Sequence, residues 1–251
     1  MSVEVALIAG LGLLSGLSIG CIGIGGVILV PGLFYLAGIP IQTAIAAAMM
    51  GYLLTGLVGT IVYAGKKSID WSMAGWLCAG AMPAAVAGAW LSNNVPGSAL
   101  EFVIGTLTIV SGLQALRGRA DDAGRASRLS PFSLVAIGGL TGVLSAITGT
   151  GGPLVLVPVM LWLNAPVLTA IGLSQAVQLP IATLATAGNF AFGSPDVTLG
   201  AILAVALAAG SYAGAQLAHK IPQDGLKKLV ASVLIAVGVM IILRILFRLF
   251  T

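Results

Sequence analysis

The chain has 251 residues, 59% of them hydrophobic and 7% charged, with a formal net charge of +4 and a mean hydropathy of +1.12. A soluble domain carries about 25% charged residues, so this composition excludes a water-exposed globular surface and predicts an all-α polytopic membrane protein. Long continuous runs of Ala, Leu, Val and Gly exclude a β-barrel, whose strands alternate. The small, scattered positive charge gives no basis for a nucleic-acid partner and reads as an orientation signal.

In chain order, apolar segments are expected near 3–20, 27–37, 42–64, 71–91 and 99–116. A second set follows near 131–147, 153–164, 168–190, 197–217 and 226–246. The opening "MSVEVALIAG" has no Lys or Arg before its apolar run, so it reads as a retained segment rather than a cleaved signal. The segments at 27–37 and 153–164 reach only about 15–18 Å as helices. Joined to their predecessors they would be about 50 Å long, more than the roughly 30 Å hydrocarbon core. Each is therefore expected to fold back as a hairpin at its glycines.

The charged stretch "RGRADDAGRASRLSP" divides the chain, and the two sides match at an offset of 126 residues. Gly16 pairs with Gly142, and Gly23, Gly25 and Gly26 pair with Gly149, Gly151 and Gly152. Pro40, Thr43, Asp70, Pro96 and Gly112 likewise pair with Pro166, Thr169, Asp196, Pro222 and Gly238. The expected organisation is a first transmembrane repeat at 1–116, a charged cytoplasmic linker at 117–130 and a second repeat at 131–251. Five segments per half would make the repeats inverted. The eleven basic residues weigh only slightly for that topology. Inverted halves place Lys66, Lys67, Arg117, Arg119, Arg125, Arg128, Lys220, Lys227 and Lys228 in the cytoplasm, against eight basic residues for parallel halves.

Backbone that leaves the helix at membrane depth must be buried in protein or line a cavity. A matched pair of Gly/Pro-interrupted segments is the strongest sequence pointer to a transporter's binding site. Each break exposes the partial positive charge of a helix N-terminus, which suits an anion. Pro153 fits the first helical turn, where its missing N–H costs little. The candidate substrate-binding residues are Gly23, Gly25 and Gly26 in the first break, and Thr148, Gly149, Thr150, Gly151 and Gly152 in the second. Ser174, Gln175 and Gln178 join them from "LSQAVQLP" on the neighbouring segment. The positions matching those last three are Ala48, Met49 and Tyr52, so any site is asymmetric. The same breaks could instead serve tight helix packing through small residues.

Other residues read as structural. Asp70 and Asp196 each precede an apolar segment as helix N-caps do, and Ser98 with Glu101 has capping-box spacing. No acid sits mid-segment, so carboxylate-based proton coupling is not expected. Cys21 and Cys78 lie in apolar segments without a ligand cluster, so no disulfide, metal or cofactor is expected. "GLSIG" fits the serine-hydrolase elbow, but it needs a strand-to-helix turn and a partner histidine. The single histidine, His219, reads as a solvated loop residue, and its repeat mate is Asn93. Asn189 sits near the end of its segment.

The paired "GIGGVILVP" and "GTGGPLVLVP", each followed by a "T-A-I" stretch, resemble the TauE/SafE family of sulfite exporters, also called the toluenesulfonate uptake permease family. The first copy lacks one residue present in the second. The resemblance covers nearly the whole chain. It implies a plasma-membrane transporter of small sulfur-containing anions, sulfite or organosulfonates such as sulfoacetate, often exporting them. A passive anion channel, a carrier of another small organic anion and a non-transporting scaffold are the competing readings. The partners expected are a small anion and the bilayer.

Overall fold

A computed structural model describes residues 2–96, 129–163 and 165–222, with isolated positions between 99 and 113 and between 225 and 243. The expected segments at 99–116 and 226–246, the linker at 117–130 and the Ser98–Glu101 capping box fall largely or wholly outside the described residues. Among those residues there are helices and no strands. Eight helices follow one another: α1 (Ser2–Ile22), α2 (Gly26–Tyr35), α3 (Ile41–Gly65), α4 (Trp71–Asn94), α5 (Pro131–Thr148), α6 (Pro153–Trp162), α7 (Val167–Phe192) and α8 (Val197–Ala218). Six of them are long and apolar enough to cross a membrane. The exceptions are α2 and α6, at ten residues each.

Both predicted aspartate caps form. Asp70 accepts from the backbone N–H of Met73 at 3.1 Å, and Asp196 accepts from that of Leu199 at 2.9 Å. Each replaces one partner for the unpaired donors of a first turn. On α4, exposed Trp71 and Trp90 sit about 28 Å apart along the helix, close to the thickness of a hydrocarbon core. Aromatic rings favour the two membrane interfaces, so α4 has an interfacial anchor at each end.

Small residues let the long helices touch backbone to backbone. Along α1, Gly12 abuts Leu203 and Ala206, Gly16 abuts Leu207, and Gly20 abuts Ser211 and Ala215 of α8. These contacts advance in the same sense, so α1 and α8 run parallel. Along α5, Gly138 abuts Leu77 and Gly142 abuts Ala81 of α4, again in parallel. The central pair α3 and α7 is antiparallel: Gly56 meets Leu179, Gly59 meets Gln175, and Gly172 meets Ser68. Helices α1, α3 and α8 therefore point one way, and α4, α5 and α7 point the other. Each group combines helices from both sides of the linker.

The two short helices fold back. Gly25 rests against Ser15 and Ile19 of α1, and Gly32 rests against Leu11. The chain thus reverses at residues 23–25, and α2 descends beside the helix that precedes it. The corresponding break at 149–152 is one residue longer. Gly26 approaches the backbone of Thr150 so closely that a methyl group there would lie 2.6 Å from its Cα. The two hairpin tips touch.

Candidate substrate-binding site

The breaks are built from different materials. In the first, Gly23 has φ +75° and its N–H returns to the Ile19 carbonyl at 2.9 Å. The last carbonyls of α1 are then claimed by side chains from two other helices. Gln175 Nε2 of α7 donates to Ile19 O at 2.8 Å, and Tyr63 Oη of α3 donates to Gly20 O at 2.8 Å. A helix end buried in apolar surroundings needs such partners. Ser174 Oγ donates to Ile171 O at 2.7 Å and lies 3.4 Å from the place a Gly23 methyl would occupy.

The second break is capped by its own residues. Thr148 Oγ1 donates to Leu144 O at 2.7 Å and bonds Thr150 Oγ1 at 2.8 Å. Gly149 caps α5 in the left-handed region, and Thr150 N–H reaches Ser145 O at 3.2 Å. Gly151 and Gly152 follow with φ +77° and +110°, which side-chain-bearing residues rarely adopt. These two residues turn the chain so that Pro153 opens α6, whose N-cap Gly152 offers no side-chain cap.

Around that turn lie polar side chains that nothing pairs. Tyr52 of α3 sets its ring 2.7 Å from the position of a Gly151 methyl. Gln178 Cα and Ser145 Oγ lie 3.8 and 3.9 Å from that of a Gly152 methyl. Tyr52 and Ser145 are fully buried and Gln178 is 1% exposed. The Tyr52 hydroxyl, the Ser145 hydroxyl and both amide atoms of Gln178 have no hydrogen-bond partner. Leaving a buried donor or acceptor unmet costs about 1–3 kcal/mol, so the three residues that flank this turn carry donors and acceptors that the fold itself does not pair, as do Ser15, Gln175, Thr141 and Ser211 elsewhere in the bundle.

All the predicted site residues are therefore buried at the breaks, but they divide. Ser174 and Gln175 belong with Gly23, Gly25 and Gly26 at the first break. Gln178 belongs with Thr148, Gly149, Thr150, Gly151 and Gly152 at the second. Tyr52 and Ser145 were not among the predicted contacts. The signal for Tyr52 was present, since it stands 126 residues before Gln178. The offset continues outward: Thr60 matches Thr186, both with unpaired buried hydroxyls, and Tyr63 matches Asn189.

His219 corrects the expectation of a solvated loop residue. It is half-buried, hydrogen-bonds Ser68 Oγ at 3.2 Å and Ala215 O at 2.8 Å, and packs on Tyr63 with ring centroids 4.8 Å apart. Its mate Asn93 occupies the matching place and donates to Asn189 Oδ1 at 3.0 Å. Asn189, 2% exposed, is thus part of a buried pair. Ser18 lies within α1 and donates to Leu14 O, so "GLSIG" is helix rather than a nucleophile turn.

Six spanning helices and two hairpins broken within the bundle are the architecture of a multi-pass membrane transporter. The sequence profile described as "Sulfite exporter TauE/SafE" matches residues 8–241, and the chain belongs to that family. "Probable membrane transporter protein YdhB" of Bacillus subtilis is 28% identical over 85% of this chain and 90% of its own length. A Methanocaldococcus jannaschii protein, likewise named a "probable membrane transporter protein", is 23% identical over 88% of this chain and 89% of its own. "Probable membrane transporter protein YunE" of Bacillus subtilis is 27% identical over 61% and 66%. No solved structure matches the chain. Family and relatives are transporters, not enzymes.

Proposed function

We propose that this transporter carries small sulfur-containing anions, sulfite or organosulfonates, out across the plasma membrane, and that the second break is where it holds them. The observation that carries the reading is the set of unpaired buried groups on Tyr52, Ser145 and Gln178, residues that flank the glycine turn leading into α6. Hydroxyl and amide donors beside a positive helix end suit an oxyanion. Membership of a family described as sulfite exporters supports sulfite as the substrate class.

The halves are inverted repeats in this reading. The close glycine contacts support opposite directions for the equivalent helices α1 and α5, α3 and α7, and α4 and α8. Lys66, Lys67, His219 and Lys220 gather at one end of the bundle, where α5 also begins, while Glu4 and Asp196 lie at the other. The positive-inside rule makes the lysine end cytoplasmic, together with the linker that leads into α5. Alternating access then exchanges two equivalent routes. One runs along α3 from Tyr52 past Thr60 to Tyr63 and His219. The other runs along α7 from Gln178 past Thr186 to Asn189 and Asn93.

Flux of sulfite and methanesulfonate from proteoliposomes tests the reading. Saturable flux that Gly151→Leu abolishes while the protein still purifies folded supports it. Full flux in that variant refutes the site.

A further inference from the structure

We propose that the second-break site selects its substrate by charge state, accepting oxyanions with one negative charge and rejecting those with two. The inference rests on the reading of this break as the anion site and deepens it.

The first argument is the chemistry of the donors. Tyr52, Ser145, Gln178, Thr148 and Thr150 are all neutral. Among the described residues no charged side chain is buried. The sequence closes the remaining routes, because 102–116 and 229–243 contain no Asp, Glu, Lys or Arg. Among the described residues no segment brings a fixed cation toward the middle of the bundle.

A charge moved out of water loses hydration energy as the square of its magnitude, whereas its attraction to fixed dipoles grows only in proportion. At equal size a dianion therefore loses about four times the hydration of a monoanion and regains only about twice the compensation from the same dipoles. Sites that hold dianions normally make up the difference with Arg, Lys or a metal. This one has hydroxyls, one amide and a helix end.

The second argument is that Gln178 leaves an acceptor unpaired as well as a donor. A fully ionised oxyanion offers only lone pairs, so it would satisfy Nε2 and set its charge against Oε1. A proton-bearing monoanion such as hydrogensulfite can use both atoms. Sulfonates with a single charge meet the electrostatic condition through their three oxygens. Sulfate and fully ionised sulfite do not, and neither does sulfoacetate with its second carboxylate charge, which narrows the organosulfonates expected from the family resemblance to the singly charged ones.

The test uses the full chain in proteoliposomes, with leak into protein-free vesicles subtracted. Three probes are compared on either side of the second ionisation of sulfite: methanesulfonate, always singly charged; sulfate, always doubly charged near neutrality; and sulfite, which changes. Sulfite flux should fall roughly tenfold per pH unit above that ionisation, following the hydrogensulfite fraction, while methanesulfonate flux changes less than about twofold. Sulfate flux should stay at least about tenfold below that of methanesulfonate. Gln178→Lys supplies the missing cation and should raise sulfate relative to methanesulfonate. Sulfite flux that is flat or rising with pH, or sulfate carried as well as methanesulfonate, overturns the inference while leaving the anion site in place. Absence of flux for all three overturns the site and the inference together.

Discussion

The two hairpin tips occupy equivalent places, yet one is tied by side chains from other helices and the other caps itself. At the first, side chains from α3 and α7 reach across to the last carbonyls of α1, while Gln175 Oε1 stays unpaired. At the second, the chain caps itself with threonines and left-handed glycines, and the side chains arriving from α3, α5 and α7 are left unpaired. The residue matching Gln175 is Met49, which cannot repeat the bond. In the proposed reading, one extra residue in the second loop and the difference between Gln175 and Met49 separate the two otherwise matching breaks.

That contrast can be broken by mutation, and the largest effects belong at the tied break. Gly25→Leu drives a side chain into the Ser15 backbone, and little folded protein should be recovered in a detergent-solubility assay. Gly151→Leu meets the Tyr52 ring and a backbone turn that disfavours side chains. It should abolish flux, with folded protein still eluting as a single species in size-exclusion chromatography. Gln175→Leu removes one of the two hydrogen bonds to the Ile19 carbonyl, which keeps the one from Gly23 N–H, and should cost about 0.5–1.5 kcal/mol of stability, read as a lowered melting temperature. Ser145→Ala removes a hydroxyl that has no partner, so stability should hold while flux falls several-fold. Asp70→Ala, remote from both breaks, should cost about 1 kcal/mol through its helix cap and leave substrate affinity unchanged.

Much of this was legible in the sequence because glycine and proline act locally. The breaks at 23–26 and 149–152, the two short helices and the caps at Asp70 and Asp196 follow from residue type and spacing alone. The 126-residue offset further predicted which positions would be equivalent. What spacing does not carry is the partner across the bundle. Ser174, Gln175 and Gln178 lie within one turn and look interchangeable, but α7 crosses both tips and presents Gln175 to one and Gln178 to the other. Tyr52 reads as apolar divergence until its equivalence to Gln178 is given spatial meaning. Ser145 is a single small hydroxyl in an apolar helix, with nothing to mark it. His219 follows a helix end beside Lys220 and looks solvated, because its contact with Tyr63 spans more than half the chain.

The central claim is that neighbouring glutamines on α7 do different work, Gln175 holding the fold and Gln178 holding the anion. Ligand-induced thermal shift with methanesulfonate, measured on the purified wild type, Gln175→Leu and Gln178→Leu, tests it most directly. The account predicts that Gln175→Leu melts lower but still shifts with ligand. Gln178→Leu should melt at or above the wild type, since it removes two unpaired buried atoms, and should show no shift. A full ligand shift in Gln178→Leu, or its loss in Gln175→Leu with the melting temperature unchanged, would contradict it.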